Sequence, residues 1–478
     1  MKKKLFRILL LALAALATLV ALFYAWTDWA GARRWKSVEA SLRAKGEPLT
    51  IAEIEPAPIP DEINFAAAPI FAGVTSASDS GKPRIAKIPA FTGAFRKGSS
   101  ELANAARSVN PKFAGSDEDA ARLVLAEASK SQAIFDAVRE AAKAPGTDWK
   151  LNFQKGIQMP IPQIQPLLKL AQSLSSQAKA RLTVGDSRGA LADVLLTIDL
   201  AGRVAPPELL ITHLVSQSMR GLTLSAVKFG LTRHVWTHGE LETLSLALSK
   251  ISTPHELANA LRVERALAND SVWNLGFSAI LKSSQFADAA KPSWSEQILL
   301  ATAHLYPSGW FLADRSLYST TIQTLIEALG NPAPHFPEHM PALMRIPPAQ
   351  HSLSARVRTP LSTMALPGIS NAVKRTFQLQ FQLDAARTAC AIERYRLAHG
   401  ALPQSLDALC PEFLSKPTPD LMTGEPLHYK PGPGDSYVLY SVGWNEIDDG
   451  GSAVDPKRPA RKDSPDAADW VWKIDARP

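Results

Sequence analysis

The sequence predicts a mainly α protein: an N-terminal transmembrane helix, an irregular helical domain, and a small C-terminal α+β domain with a long helix packed on a short antiparallel sheet. Three observations predict it. Ile8–Trp26 is an apolar run without charge, residues 116–330 carry apolar side chains at helical spacing, and a long two-faced helical pattern from Ile369 gives way to short strand-like stretches. The divisions that follow are an anchor (1–27), a juxtamembrane helix and extended Pro-rich strap (28–115), a helical domain (116–330), a Pro-rich connector (331–362) and the α+β domain (363–478). With 46% apolar and 20% charged residues, the composition is that of a globular chain with a sizeable core.

The anchor comes first. Its 19 residues rise roughly 28 Å as a helix, about the thickness of a bilayer hydrocarbon core. Tyr24, Trp26, Trp29 and Trp35 crowd its outer end, as an interfacial aromatic belt does. A cleaved signal peptide is the alternative, with Ala30-Gly31-Ala32 as the cleavage site, but that site lies well beyond the apolar run. Lys2, Lys3, Lys4 and Arg7 precede the run and Arg33, Arg34 and Lys36 follow it, a thin margin that still favours a cytoplasmic N-terminus. The expected location is a bacterial inner membrane, single-pass, with the body in the periplasm. The lipid bilayer is then the first partner, through residues 8–26.

Charge distribution excludes a polyanion as the second. Residues 1–36 hold seven Lys or Arg against Asp28, which is +6 of the net +7, so the remaining chain carries only +1. A near-neutral body has no electrostatic footprint for nucleic acid.

After a juxtamembrane helix expected at Ala32–Lys45, periodicity is lost in a Pro-rich stretch, and Ser76–Lys82 is a turn signal. Ile63, Phe65, Ile70 and Phe71 make that stretch a strap laid over another part of the fold rather than a linker. Ser116-Asp117-Glu118-Asp119 opens a helix with an acidic first turn, extending to about Lys143 before Pro145-Gly146. Two more helices join at Gly185-Asp186, and Thr237-His238-Gly239-Glu240 is a capping-box pattern opening another. These turns are 53 residues apart. A tetratricopeptide array, which the first hairpin locally resembles, repeats every 34 or so, so no regular solenoid is expected.

In the closing domain, Leu379, Leu383, Ala386, Cys390 and Leu397 form one apolar stripe, and Phe377, Phe381, Ile392 and Tyr395 form another. A helix with two apolar faces must be covered on two sides. Gly400 and Pro403 end it. A short helix at Ser405–Phe413 follows, then strands at Leu427–Lys430, Ser436–Val442 and Trp470–Ile474.

Three of these stretches, AIERYRLAHGALPQSLDAL, PDLMTGEPLHY and YVLYSVGWNEIDDGG, resemble the globular end of the major pseudopilin of bacterial type II secretion. The resemblance covers roughly the last 110 residues of the chain. It implies a long helix wrapped by a small antiparallel sheet, and a calcium-binding loop in which Asp448 and Asp449 stand beside Gly450 and Gly451. Leu421 replaces the Pro usual in that family, and the family's N-terminal processing site is missing. Separately, PDEINFAAAPIF looks like a segment of uncharacterised single-pass bacterial envelope proteins, a likeness that implies no activity.

Candidate chemistry is sparse. Gly185-Asp186-Ser187-Arg188-Gly189 fits the G-x-S-x-G nucleophile elbow, which requires Ser187 on a strand-to-helix turn, yet a helical pattern precedes it. Ser176 and Lys179 fit S-x-x-K without its companion motifs and read as helix surface. His234 and His238 are spaced as zinc ligands can be, but His238 falls in a turn; His335, His339 and His351 lie in the Pro-rich connector. No Walker loop or Gly-rich dinucleotide fingerprint occurs.

Cys390 and Cys410 are the only cysteines, either a disulfide in an oxidising compartment or two buried thiols. The acids from Glu446 to Asp469 either bind calcium or pair with Lys457, Arg458, Arg461 and Lys462. No cofactor beyond calcium is implied. The expected function is that of a membrane-anchored, non-enzymatic structural or interaction protein of the envelope, its protein partners unspecified by the sequence. The alternatives are a secretion-linked component with a calcium-stabilised docking domain and a serine hydrolase built on Ser187.

Overall fold

A computed structural model describes residues 2–74, 85, 88–89, 91, 100–206, 208–273, 306–330, 357–452 and 468–476. The turn signal at 76–82, the three connector histidines (His335, His339, His351), the acids Asp455, Asp463 and Asp466, and the basic residues Lys457, Arg458, Arg461 and Lys462 lie outside these.

The chain is mainly helical, with an apolar N-terminal helix and a three-stranded antiparallel sheet near the C-terminus. Helix α1 (Lys2–Ala44) is continuous: the anchor and the juxtamembrane helix, expected as two elements, are one rod of 43 residues. Nothing between Trp26 and Ala32 breaks a helix, since Ala, Thr and Trp continue it and Gly31 weakens it by only about 1 kcal/mol. The two halves differ in surroundings. Leu5 to Phe23 expose their apolar side chains, whereas Gly31, Trp35 and Leu42 are buried against the body.

The segment Asn64–Phe71 lies against the helical body. Phe65, Ile70 and Phe71 are buried, and Phe65 and Phe71 meet Trp149 edge-on while Arg203 lies over the Phe65 ring. Ile63 is the exception, 43% exposed, because its contribution is a backbone one: its carbonyl accepts from the Gly146 amide (2.9 Å). The Asn64 side chain clamps the same junction by donating to the Asp148 carbonyl and accepting from the Asp148 amide (both 2.9 Å).

Helices α3 (Glu101–Val109), α4 (Asp117–Ser129), α5 (Gln132–Ala141), α6 (Ile164–Thr183), α7 (Ser187–Arg203), α8 (Leu210–Arg233), α9 (His238–Ser249) and α10 (Thr253–Ala268) build the middle of the molecule, after the short α2 (Ile51–Ile54). The Ser116 helix is interrupted at Lys130–Ser131, so α4 and α5 replace the single helix expected to Lys143. The turn at Gly185 stands as read, with φ +85 supplied by glycine, and Asp186 caps α7. Thr237 and Glu240 form the capping box of α9.

Helix α11 (Ser308–Gly330) packs along the C-terminal half of α1 and against α10. Helix α12 (Pro360–His399) begins nine residues before Ile369 and ends at Gly400, which adopts φ +74. Both of its apolar faces are covered, one by helices including α8, α9 and α10 and another by the sheet. Leu397 does not share in this; it is 45% exposed in the last turn, beyond the reach of the covering elements. The expected helix at Ser405–Phe413 is a single 3-10 turn, Leu406–Leu409, because Pro411 has no amide hydrogen and cannot extend it.

Strands β1 (His428–Pro431), β2 (Tyr437–Ser441) and β3 (Trp470–Ile474) pair in that order, with Leu439 opposite both Tyr429 and Trp472. Along β3, Trp470, Trp472 and Ile474 alternate inward with period two. Trp470 meets Phe381 of α12, and Lys228 of α8 lies over the Trp472 ring. One hydrophobic core runs unbroken from α6 through α12 to β3, and a second gathers the strap, α3–α5 and the outer faces of α6–α8.

Candidate functional site

The junction between the apolar N-terminal helix and the body is the most distinctive place in the fold. Gly31 of α1 and Gly309 of α11 meet backbone to backbone: a Cβ on Gly31 would collide with the Gly309 carbonyl, and one on Gly309 with the Thr27 carbonyl. Only glycine permits this approach. Asp28 locks it, its Oδ1 accepting from the Ser308 hydroxyl and the Gly309 amide (both 2.7 Å) at the start of α11. Trp310, on the body, meets Phe23 of the apolar run edge-on at 5.8 Å, and Tyr306 at 5.8 Å. Further along, Arg315 lies over the Trp35 ring. Beyond the end of α1, Glu47 joins Arg262 and the buried Arg265.

Beside the glycines a crevice of about 660 Å³ opens between α1 and α11, with Trp26, Arg34, Trp310 and Arg358 among its lining. Below it, Asp314 of α11 accepts from the amides of Leu361 and Ser362 in the first turn of α12. Burial pushes the Asp314 carboxyl up to about 6, against the pull of those amides. Neither the Gly31–Gly309 contact nor Asp314 stood out in the sequence. A lone glycine inside a helical pattern was the only available signal.

The residues singled out from the sequence have other occupations. Ser187 lies between two helices as the first residue of α7, and its hydroxyl donates to Glu240 Oε1 (2.8 Å), tying α7 to α9. A nucleophile elbow needs a strand before the serine, and α6 stands there. Lys179 is no surface residue: it is buried, paired with Glu101 of α3 and donating to Ser225 of α8 (2.8 Å). His234 ends α8 in the left-handed conformation, φ +53, with Nδ1 3.0 Å from Glu393. His238 opens α9 rather than lying in a turn, and its Nε2 faces Arg394 (3.3 Å). The two histidines therefore serve different partners.

Glu393 is an acid that the periodicity of α12 disguised. Burial opposes its ionisation, but hydrogen bonds from Arg396 and His234 hold the carboxyl below its ordinary range. The arrangement fastens α8, α12 and the β1–β2 turn, where Asp435 lies 3.8 Å from His234 Nε2.

Cys390 and Cys410 are free thiols in the structure. Cys390 is wholly buried in the core, which pushes its thiol up to about 12, and Cys410 packs half-buried on the same core.

In the acidic loop, Asp448 Oδ1 accepts from the Gly450 amide (2.8 Å) and Asp449 Oδ2 from the Asn445 side chain (3.1 Å). Asp469 accepts from the amides of Asp449 (3.2 Å) and Gly451 (2.7 Å). Among the described residues no three His, Cys, Asp or Glu side chains are grouped to hold a metal ion. Asp448, Asp449 and Asp469 thus each accept from a donor of the loop itself, whereas calcium takes six to eight oxygens aimed at one point. Asp420, another acid missed in the sequence, holds the preceding turn onto β2 through Ser441 and Val442.

No protein-family model matches the chain, and no curated protein or solved structure is significantly similar to it.

Proposed function

We propose that the chain is a single-pass inner-membrane protein whose helical body is held rigidly at the periplasmic face, where it acts as a non-enzymatic structural or interaction component of the envelope. The observation that carries this reading is the continuity of α1. Its N-terminal half exposes an uninterrupted apolar surface, with Leu5, Leu11 and Leu19 all more than 60% exposed, while its C-terminal half is built into the body. Water would not leave such a surface uncovered; a bilayer would solvate it. A signal peptide, by contrast, has no reason to be packed glycine to glycine against the mature fold.

A phosphatase reporter fused after Pro478 is expected to be active, and an inactive, well-expressed fusion would refute the periplasmic assignment. Crosslinking of the membrane fraction followed by mass spectrometry identifies the envelope partners. The reading fails if the purified protein turns over substrate with Ser187 as nucleophile.

A second reading has one observation in its favour. The long α12 lies against a small antiparallel sheet, the arrangement that the pseudopilin resemblance implies for a secretion-linked docking module. Co-purification with secretion-system proteins, lost on deleting residues 363–478, is the result that would favour it.

A further inference from the structure

We propose that the crevice between α1 and α11 binds the headgroup of a phospholipid of net negative charge, taken from the leaflet through which α1 emerges. The inference rests on the reading of α1 as a membrane span and names the ligand that its junction with the body would hold.

The position is the first argument. Trp310 touches Phe23, near the end of the apolar run, so the body begins where the hydrocarbon would end. Trp26, 65% exposed, and Trp310 both line the crevice, as the amphipathic rings of an interfacial belt would. From Trp26 to Arg34 the helix rises roughly 12 Å. Helical side chains lean toward the N-terminus, which brings the Arg34 guanidinium back toward a headgroup layer about 5–8 Å deep.

The second argument is the charge. Arg34 and Arg358 line the same crevice, both exposed, and among the described residues no carboxylate lies within ion-pair distance of either. Asp28, the acid on this stretch of α1, is committed to Ser308 and Gly309. Arg358 is steadied over the Trp310 ring, 5.5 Å from its centroid, rather than by an acid. Two guanidinium groups with no described carboxylate beside them present a planar, forked donor set suited to a phosphate diester.

Shape is the third. The crevice, about 660 Å³, falls in the range of sites for small organic ligands. It is apolar beside the tryptophans and the Gly31–Gly309 contact and cationic at Arg34 and Arg358, which matches the polarity of a glycerol backbone and its phosphate.

The test uses the full-length chain in dodecyl maltoside, with native mass spectrometry reading retention of dioleoyl phosphatidylglycerol against dioleoyl phosphatidylcholine. The wild type is expected to prefer phosphatidylglycerol by about tenfold. R34Q/R358Q is expected to bring that ratio near one, and R34Q alone, which alters a single exposed side chain, to reduce it by about threefold. R33Q/K36Q, which removes two exposed charges from the same helix that do not line the crevice, is expected to keep the ratio. A wild-type ratio near one, or a ratio unchanged by R34Q and R34Q/R358Q, overturns the proposal. So does equal protection from thermal unfolding by sn-glycerol 3-phosphate, which would make the ligand a free phosphate ester. Alkaline carbonate extraction separates the two readings: a chain released by carbonate refutes the span and the lipid site together, whereas a retained chain without lipid preference refutes the lipid site alone.

Discussion

The crevice between α1 and α11 and the acidic loop after β2 both gather charge of one sign, yet they treat it in opposite ways. Asp448, Asp449 and Asp469 spend their oxygens on the loop's own donors, at Gly450, Asn445, Asp449 and Gly451. Arg34 and Arg358 face a cavity with no described carboxylate to meet them. The difference teaches where to look for a ligand. Charge that a fold satisfies internally fixes a backbone, and charge it leaves unmet is available to something outside. Clustered acids in a sequence do not distinguish these cases, because three of the four donors here are backbone amides, which carry no sequence signature.

The largest effect is expected at the junction. Gly309→Val forces a side chain into the Thr27 carbonyl and must separate α1 from α11. Overpacking of this kind should cost about 3 kcal/mol, well above the gain of about 1 kcal/mol from replacing a helical glycine. Thermal unfolding in detergent checks it, with Leu13→Ala on the exposed half of α1 as the neutral comparison. Equal loss in both variants would mean the junction is not a packed interface.

Next comes pH. Asp314 has a folded value of about 6 against an ordinary 3.8, so the folded state retains a proton that the unfolded chain releases over that window. Stability therefore falls as pH rises from about 4 to 6, by on the order of 3 kcal/mol, and levels off above. Asp314→Asn should lose that slope. An identical pH dependence in both proteins would show that the burial of Asp314 is not what sets it.

In the loop, Asp469→Ala removes the acceptor for two amides and should cost about 2 kcal/mol. Calcium is expected to do least. An ion bound at a hundredfold excess over its dissociation constant would add about 2.7 kcal/mol. With no three described ligand side chains grouped around one point, melting temperatures in calcium and in chelator are expected to agree. A calcium-dependent rise abolished by Asp448→Ala would instead assign the missing ligands to residues 453–467.

Much of the fold was legible where one local signal decides one local structure. Gly185 and Gly400 supply positive φ, Thr237 and Glu240 close a capping box, and the alternation of Trp470, Trp472 and Ile474 is a strand written with period two. What escaped depends on distance along the chain. Gly31 and Gly309 are silent in sequence until α11 is known to cross α1. Lys179 looked like surface because its partners, Glu101 and Ser225, lie on other helices. Glu393 carries no local signal of its role, because its burial depends on His234 arriving from the end of α8 beside Arg396.

The central claim is that α1 is one retained element, half in the bilayer and half in the fold. Intact mass of the chain extracted from the membrane fraction tests it most directly. A mass near the full 51.7 kDa is the predicted result, with residues 1–32 still attached to the body. A mature chain beginning at Arg33, cut after Ala30-Gly31-Ala32, would sever the helix one residue beyond its contact with Gly309 and contradict the account.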